Sequence, residues 1–183
     1  MKKLLTLILL LMVSVEMYAQ SNVTTFLGIP VDGTKSSMIQ KLQKKGFVYN
    51  QKKDLLEGEF NGRQVFIGIN TEKGKVYGIG VFNQREYDAV GTSIHYEYLC
   101  NQFQNNPKYM IFSEAPLPES KDLDYEISVN KRIYGTIYLQ NPQFNESDWN
   151  RRVVVVIAPI GTGSYRIGMI YINGFNQANG EDL

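Results

Sequence analysis

Apolar and polar positions follow two rhythms along this chain, and the switches between them predict an order of elements. From Lys35 onward Met38, Ile39 and Leu42 recur at helical spacing, with Lys35, Gln40, Gln43 and Lys44 on the opposite, wet side. Pro30 and Asp32-Gly33 turn the chain beforehand, and the Thr34 hydroxyl stands where an N-cap accepts a bond from an otherwise orphaned backbone N–H. Lys44 and Lys45 suit the negative end of the helix dipole. Gly46 then fits the left-handed C′ position, and Phe47 can fold back on Leu42, as in a Schellman ending.

The rhythm next changes to alternation. Leu55 to Phe60 and Arg63 to Asn70 flank Asn61-Gly62, a pair suited to a tight hairpin whose two central residues both need positive φ. Thr71 to Gly74 turns into a third strand, Lys75 to Phe82, completing an antiparallel meander. Val65, Ile67 and Ile69 share one face of the middle strand, and Tyr77, Ile79 and Val81 share one face of the next. Gly68, Gly78 and Gly80 fall on the opposite face, where a backbone or ring can approach closely. Asn83-Gln84-Arg85-Glu86 fits a capping box opening a longer helix to about Asn105, with Tyr87, Val90, Ile94, Tyr98, Leu99 and Phe103 as its buried face and Pro107 beyond its end. Tyr109 to Phe112 fits a short strand. Strands then resume over Leu123 to Asn130, Ile133 to Gln140, Arg151 to Ala158 and Tyr165 to Asn173.

Helix, meander, helix, meander is the resulting order. It predicts an α+β fold of two helix-plus-antiparallel-sheet halves, 20–82 and 83–174, followed by a polar tail at 175–183. The halves are alike in architecture and not residue by residue. The helices should pack on one face of an open antiparallel sheet, leaving the other face wet or available for use.

Residues 1–19 read differently. Lys2 and Lys3, the apolar run Leu4 to Val15 and the small-residue site at Met17-Tyr18-Ala19 are the parts of an export signal ending before Gln20. That run falls short of the roughly 20 residues needed to span a bilayer, so no transmembrane span is expected, and the location is periplasmic or extracellular. With Lys2, Lys3 and Glu16 set aside, basic and acidic residues are equal in number, which argues against electrostatic capture of nucleic acid. Cys100 is the single cysteine, so no internal disulfide forms, and it is expected as a buried thiol.

A resemblance rests on Gly28, Ile29, Pro30, Asp32, Gly33, Thr34, Met38, Leu42, Gly46 and Phe47, on the Ala19-Gln20 junction, and on the closing Met169 to Asn176 with Glu181-Asp182-Leu183. In these the chain is similar to a group of secreted proteins of Bacteroides-type gut bacteria, a group that carries no established activity to transfer. The order of elements also resembles the β-lactamase inhibitory protein and the small outer-membrane assembly lipoproteins, implying a BLIP-like tandem. The chain departs from the inhibitor in lacking cysteine pairs and from the lipoproteins in lacking a lipid-attachment cysteine.

Candidate chemistry is sparse. His95 is the single histidine, no Gly-x-Ser-x-Gly elbow occurs, and Gly161-Thr162-Gly163-Ser164 reads as a hairpin turn. One His and one Cys leave no ordinary zinc site, and no cofactor is expected. Asp122, Asp124 and Glu126 would share a face if their segment were a strand, and Glu57 and Glu59 pair likewise. Such acids could serve a glycan hydrolase only if held in one cleft. The stronger candidate is aromatic: Tyr134 and Tyr138 flank Thr136 on one strand face, opposite Ile133, Ile137 and Leu139, with Trp149 in the following loop. If the aliphatic residues face the helix, the tyrosines face out as contact residues. The expected function is therefore a non-enzymatic binding module, with another envelope or secreted protein as partner. A carboxylate-dependent hydrolase and a self-associating envelope protein are the alternatives.

Overall fold

The computed structural model describes residues 23–118 and 123–177, so the expected export signal, Asp122 and the tail beyond 177 lie outside the described residues. A short ribbon, β1 (Thr25–Phe26) and β2 (Ile29–Pro30), precedes α1 (Lys35–Gln43). Four strands follow: β3 (Val48–Asn50), β4 (Leu55–Phe60), β5 (Arg63–Glu72) and β6 (Lys75–Asn83). After α2 (Ala89–Gln104) come β7 (Tyr109–Glu114), the short helix α3 (Leu123–Ser128), β8 (Gly135–Gln140), β9 (Arg151–Gly161) and β10 (Ser164–Asn173). A 3-10 turn, Glu146–Asn150, links β8 to β9, and another closes the described chain at Gly174–Asn176.

The main sheet has eight antiparallel strands in the order β3-β4-β5-β6-β10-β9-β8-β7. Each meander is sequential, and the two meet at their last strands, where Met169 pairs with Val81 and Tyr171 with Ile79. The three helices among the described residues lie on the same face. Met38 and Leu42 of α1 are buried over β5 and β6, while α2 lies across β10, β9 and β7. Leu123 of α3 is fully buried, and Asp124 accepts a hydrogen bond from Tyr165, which belongs to that face of β10. The fold is thus α+β with helices against one side of an open sheet.

Local chemistry explains most element ends. Thr34 accepts from Ser37 N at 3.3 Å. At the other end of α1, Gly46 N donates to Gln43 O at 3.0 Å and Phe47 N to Leu42 O at 3.3 Å, the paired bonds of a Schellman motif, with Gly46 at φ +98°. Asn61 and Gly62 both take positive φ, as the hairpin requires. One irregularity shifts a predicted face: β5 and β6 pair Asn70 with Gly78 but Thr71 with Val76, so Tyr77 is bulged out and Val76 takes the buried place beside Ile79 and Val81.

Three expectations are corrected. The second helix begins at Ala89 and not inside Asn83-Glu86, because Asp88 is its N-cap, accepting from Gly91 N at 2.7 Å. Asn83 ends β6, and Tyr87 forms an isolated bridge with Tyr165. The buried face is accordingly Thr92, Tyr96, Cys100 and Phe103, while Val90, Ile94 and Tyr98 are exposed. Leu123 to Ser128 is helical rather than extended, burying Leu123 and Ile127 four apart, so the acidic ladder does not form. On β8 the two faces are exchanged: Thr136 and Tyr138 sit opposite Val155 and Val153 on the helix side, and Ile137 and Leu139 point the other way. Polar tips decide this orientation. The Tyr96 and Thr136 hydroxyls share a hydrogen bond of 2.9 Å, and Tyr138 OH donates to Cys100 O at 3.2 Å, so large rings enter the core without orphaned hydroxyls.

The N-terminal ribbon closes the helix face. Phe26 lies 4.9 Å from the Tyr171 ring and 5.2 Å from Phe60. Gln140 holds it there as a neighbouring strand would: Thr25 N donates to its Oε1 at 2.7 Å, and its Nε2 donates to Thr25 O at 3.0 Å. The start of the predicted tail is also tied down, through Asn176 Nδ2 to Val76 O at 2.9 Å and Asp32 Oδ1 at 2.7 Å.

Two outcomes follow. Gln140→Leu keeps volume but strips the Thr25 backbone of its partner, and should destabilise the protein by about 1–3 kcal/mol in chemical denaturation. Asp148, buried at the β8–β9 link, accepts from Gln143 N at 2.9 Å and pairs with Arg151. Burial alone would raise its pKa, but the Gln143 amide, the Arg151 guanidinium and the amides of Asn145 and Phe144 outweigh it and hold the carboxyl below its ordinary 3.8. Its contribution is therefore present above pH 3.8 and lost as pH falls through the lower folded value. Acid unfolding of Asp148→Asn, followed by circular dichroism, should lack that part of the pH dependence.

Candidate functional site

The face of the sheet opposite the helices carries no helix or ribbon among the described residues. Register assigns its members: Phe66 and Gly68 on β5; Gly78, Gly80 and Phe82 on β6; Arg166, Gly168, Ile170 and Ile172 on β10; Arg152, Val154, Val156 and Ala158 on β9; Gly135, Ile137 and Leu139 on β8. Val154, Val156, Ile170, Ile172 and Ile137 are only half-buried, screened by one another and by no covering element. A wet antiparallel face ordinarily carries polar side chains. Here its centre is aliphatic.

Glycines shape this surface. The Phe82 ring lies flat across β10, so that a Cβ placed on Gly168 would come within 2.3 Å of Phe82 Cδ1, and one on Gly80 within 3.1 Å of Cε2. The close approach expected at the glycines is thus made by one of the chain's own rings, and the strip Gly78-Gly80 stays low between the β5 and β10 side chains. Cations border the apolar centre on two sides. Arg166 lies 5.3 Å over the Phe66 ring while its Nη2 donates to Glu86 Oε1 at 2.6 Å. Arg152 lies 4.5 Å over Trp149, whose ring is 5.0 Å from Phe112.

Of the three aromatic residues singled out in the sequence, the structure brings only Trp149 to this surface, at its rim and 43% exposed. Tyr134 and Tyr138 are buried on the helix side, at 3% and 0% exposure, which corrects the expectation that they face out. Tyr138 stacks on Phe103 at 5.0 Å, and desolvation pushes its hydroxyl pKa far up. Both are core side chains, and Tyr138 packs beneath α2. Aliphatic residues take their place, and an Ile/Tyr alternation has no hydropathy contrast to orient it. The signal that could have oriented it was Thr136, a small hydroxyl between two phenols that suits a buried network under a helix.

The remaining candidates separate. Glu57 and Glu59 lie on the uncovered side of β4, with Glu57 paired to Lys53 at 3.1 Å. Asp124 is on the helix side, bound to Tyr165, whose pKa burial and that carboxylate push up to about 12. Glu126 pairs with Arg132 at 3.0 Å. These acids share no cleft. Cys100 is buried, and desolvation raises its thiol pKa, an inert setting for a thiol. Among the described residues no group of His, Cys, Asp and Glu could hold a metal ion, and no helix is long and apolar enough to cross a membrane.

Gly168→Ala must displace Phe82, and should cost about 1–3 kcal/mol as an overpacking change. Adding Phe82→Leu should recover part of that loss, so a double-mutant cycle by thermal denaturation should show favourable coupling. No protein-family model, no curated protein and no solved structure matches this chain.

Proposed function

We propose that this protein is an exported, non-enzymatic binding module whose working surface is the uncovered sheet face centred on Val154, Val156, Ile170 and Ile172. The observation that carries the reading is an aliphatic sheet centre left without a covering layer, bordered by Arg152 with Trp149 and by Arg166 with Phe66. An apolar centre with an aromatic and arginine rim is the composition of a protein contact surface. The partner that suits it is another envelope or secreted protein offering a complementary apolar patch. The reading of the chain as a tandem of two helix-plus-meander halves, 20–82 and 83–174, is supported by the mirrored strand order about the β6–β10 seam. Such a tandem would set the binding surface across the junction of its halves.

Affinity capture from envelope and culture extracts with the immobilised protein, beside Val154→Asn/Ile170→Asn, tests the reading. Both side chains point away from the core, so the variant should keep its melting temperature within a few degrees. A partner retained by the parent and lost by the folded variant is the expected result. Equal retention by both, or sedimentation showing that the parent alone self-associates, would overturn it in favour of another surface or of a self-assembling role.

A further inference from the structure

On the helix side of the sheet, a cleft of about 280 Å³ opens between the β4–β5 turn and α2. Met169 and Tyr171 of β10 form its floor, with Phe60, Leu99 and Phe103 among its walls. Asn61 Nδ2 donates to Gln102 Oε1 at 3.0 Å, so two carboxamides bridge the turn to the helix. Past this bridge lies a second, nearly closed recess of about 20 Å³, which shares Phe60, Leu99 and Met169 with the cleft and is lined also by Arg63 and His95.

Arg63 is the notable group there. Its Nη1 donates to Tyr87 OH at 3.0 Å, and its Nη2 lies 3.4 Å from His95 Nδ1, which therefore acts as the acceptor of a neutral ring. The His95 ring stacks 4.4 Å from Tyr87, and Arg85 lies 5.4 Å from Tyr87, adding a second positive charge. Both partners of Arg63 are neutral, and among the described residues no carboxylate pairs with it. A half-buried guanidinium without an anion, at the end of an apolar recess, is an arrangement that an anionic group would complete.

The geometry points to a ligand site across this cleft and the adjoining recess for a small amphipathic monoanion, its carboxylate on Arg63 and its apolar body over Met169 and Tyr171, with the Asn61–Gln102 bridge opening to admit it. The guanidinium fork matches a carboxylate in shape and charge, while the apolar floor and walls exclude water from the body of the ligand. The cleft lies at the lower limit of ligand pockets, which run from about 300 Å³ upward, so a short chain or a single ring is the size that fits. This site is on the opposite side of the sheet from the proposed protein-binding surface and does not depend on it.

The single histidine makes the test direct, because one imidazole signal reports the recess. Burial, then the charges of Arg63 and Arg85, hold the His95 pKa below 6.5. Hexanoate titrated into the protein and followed by NMR should shift both the His95 ring and the Met169 methyl saturably, and should raise the His95 pKa by offsetting those charges. Arg63→Gln should weaken hexanoate by about tenfold or more. Leu99→Trp, which fills the wall and leaves Arg63 in place, should abolish the Met169 shift, and it keeps the test decisive if Arg63→Gln fails to fold. Val154→Asn should leave hexanoate binding unchanged. Hexylamine binding as well as hexanoate, glucose shifting Met169 where hexanoate does not, or neither signal moving with hexanoate at its solubility limit would each overturn the assignment.

Discussion

The pairing of β6 with β10 is the contact on which the rest of the molecule depends. It joins two sequential meanders through their last strands and thereby makes one eight-stranded sheet from two short ones. Val81, Ile79, Met169 and Tyr171 line the helix side of this seam, and Gly80, Phe82, Gly168 and Ile170 line the other. A single set of backbone hydrogen bonds therefore creates both the floor of the cleft and the middle of the uncovered face. Loss of this pairing would leave each meander with an open edge and half a core.

The asymmetry of the two faces is a matter of supply. Beyond β1 and β2, the described chain provides helices of 9, 16 and 6 residues, enough to cover one side of the sheet. Buried phenol and carboxamide tips go to that side, where partners are available: Tyr96 with Thr136, Tyr138 with the Cys100 carbonyl, Tyr165 with Asp124, and Gln140 with the Thr25 backbone. Purely aliphatic side chains need no such partners. Half-buried aliphatic side chains such as Val154, Val156 and Ile170 occupy the face that carries no covering element among the described residues.

The cleft arises from the same division. Between the areas covered by α1 and α2 the helix side is incompletely filled, and the β4–β5 turn reaches over the gap through the Asn61 side chain. Arg63 follows that turn directly and faces inward, because Phe60 and Arg63 are cross-strand partners on the helix side. A cation placed there by hairpin register, with an imidazole and a phenol as its neighbours, gives the protein a polarised recess.

Elements whose causes are local were legible in the chain. α1 with its Thr34 cap and Gly46-Phe47 ending, the Asn61-Gly62 hairpin, the β4–β6 meander and the α+β class all follow from interactions within a few residues, and the structure contains them. Decisions between equivalent local choices were not legible. Asn83 and Asp88 are both competent N-caps, and the β6–β10 pairing together with the Tyr87–Tyr165 bridge selects the later one, rotating the buried face of α2 onto Cys100. Leu123 to Asn130 alternates well enough for a strand, yet Leu123 and Ile127 reach the core together only on a helix. On β8 the alternation of tyrosine and isoleucine is apolar on both sides, so the sequence determined that a strand forms there. Which face meets the helix was decided by where hydroxyl groups find partners, a long-range condition that placed Tyr138 in the core and gave the open surface to aliphatic residues.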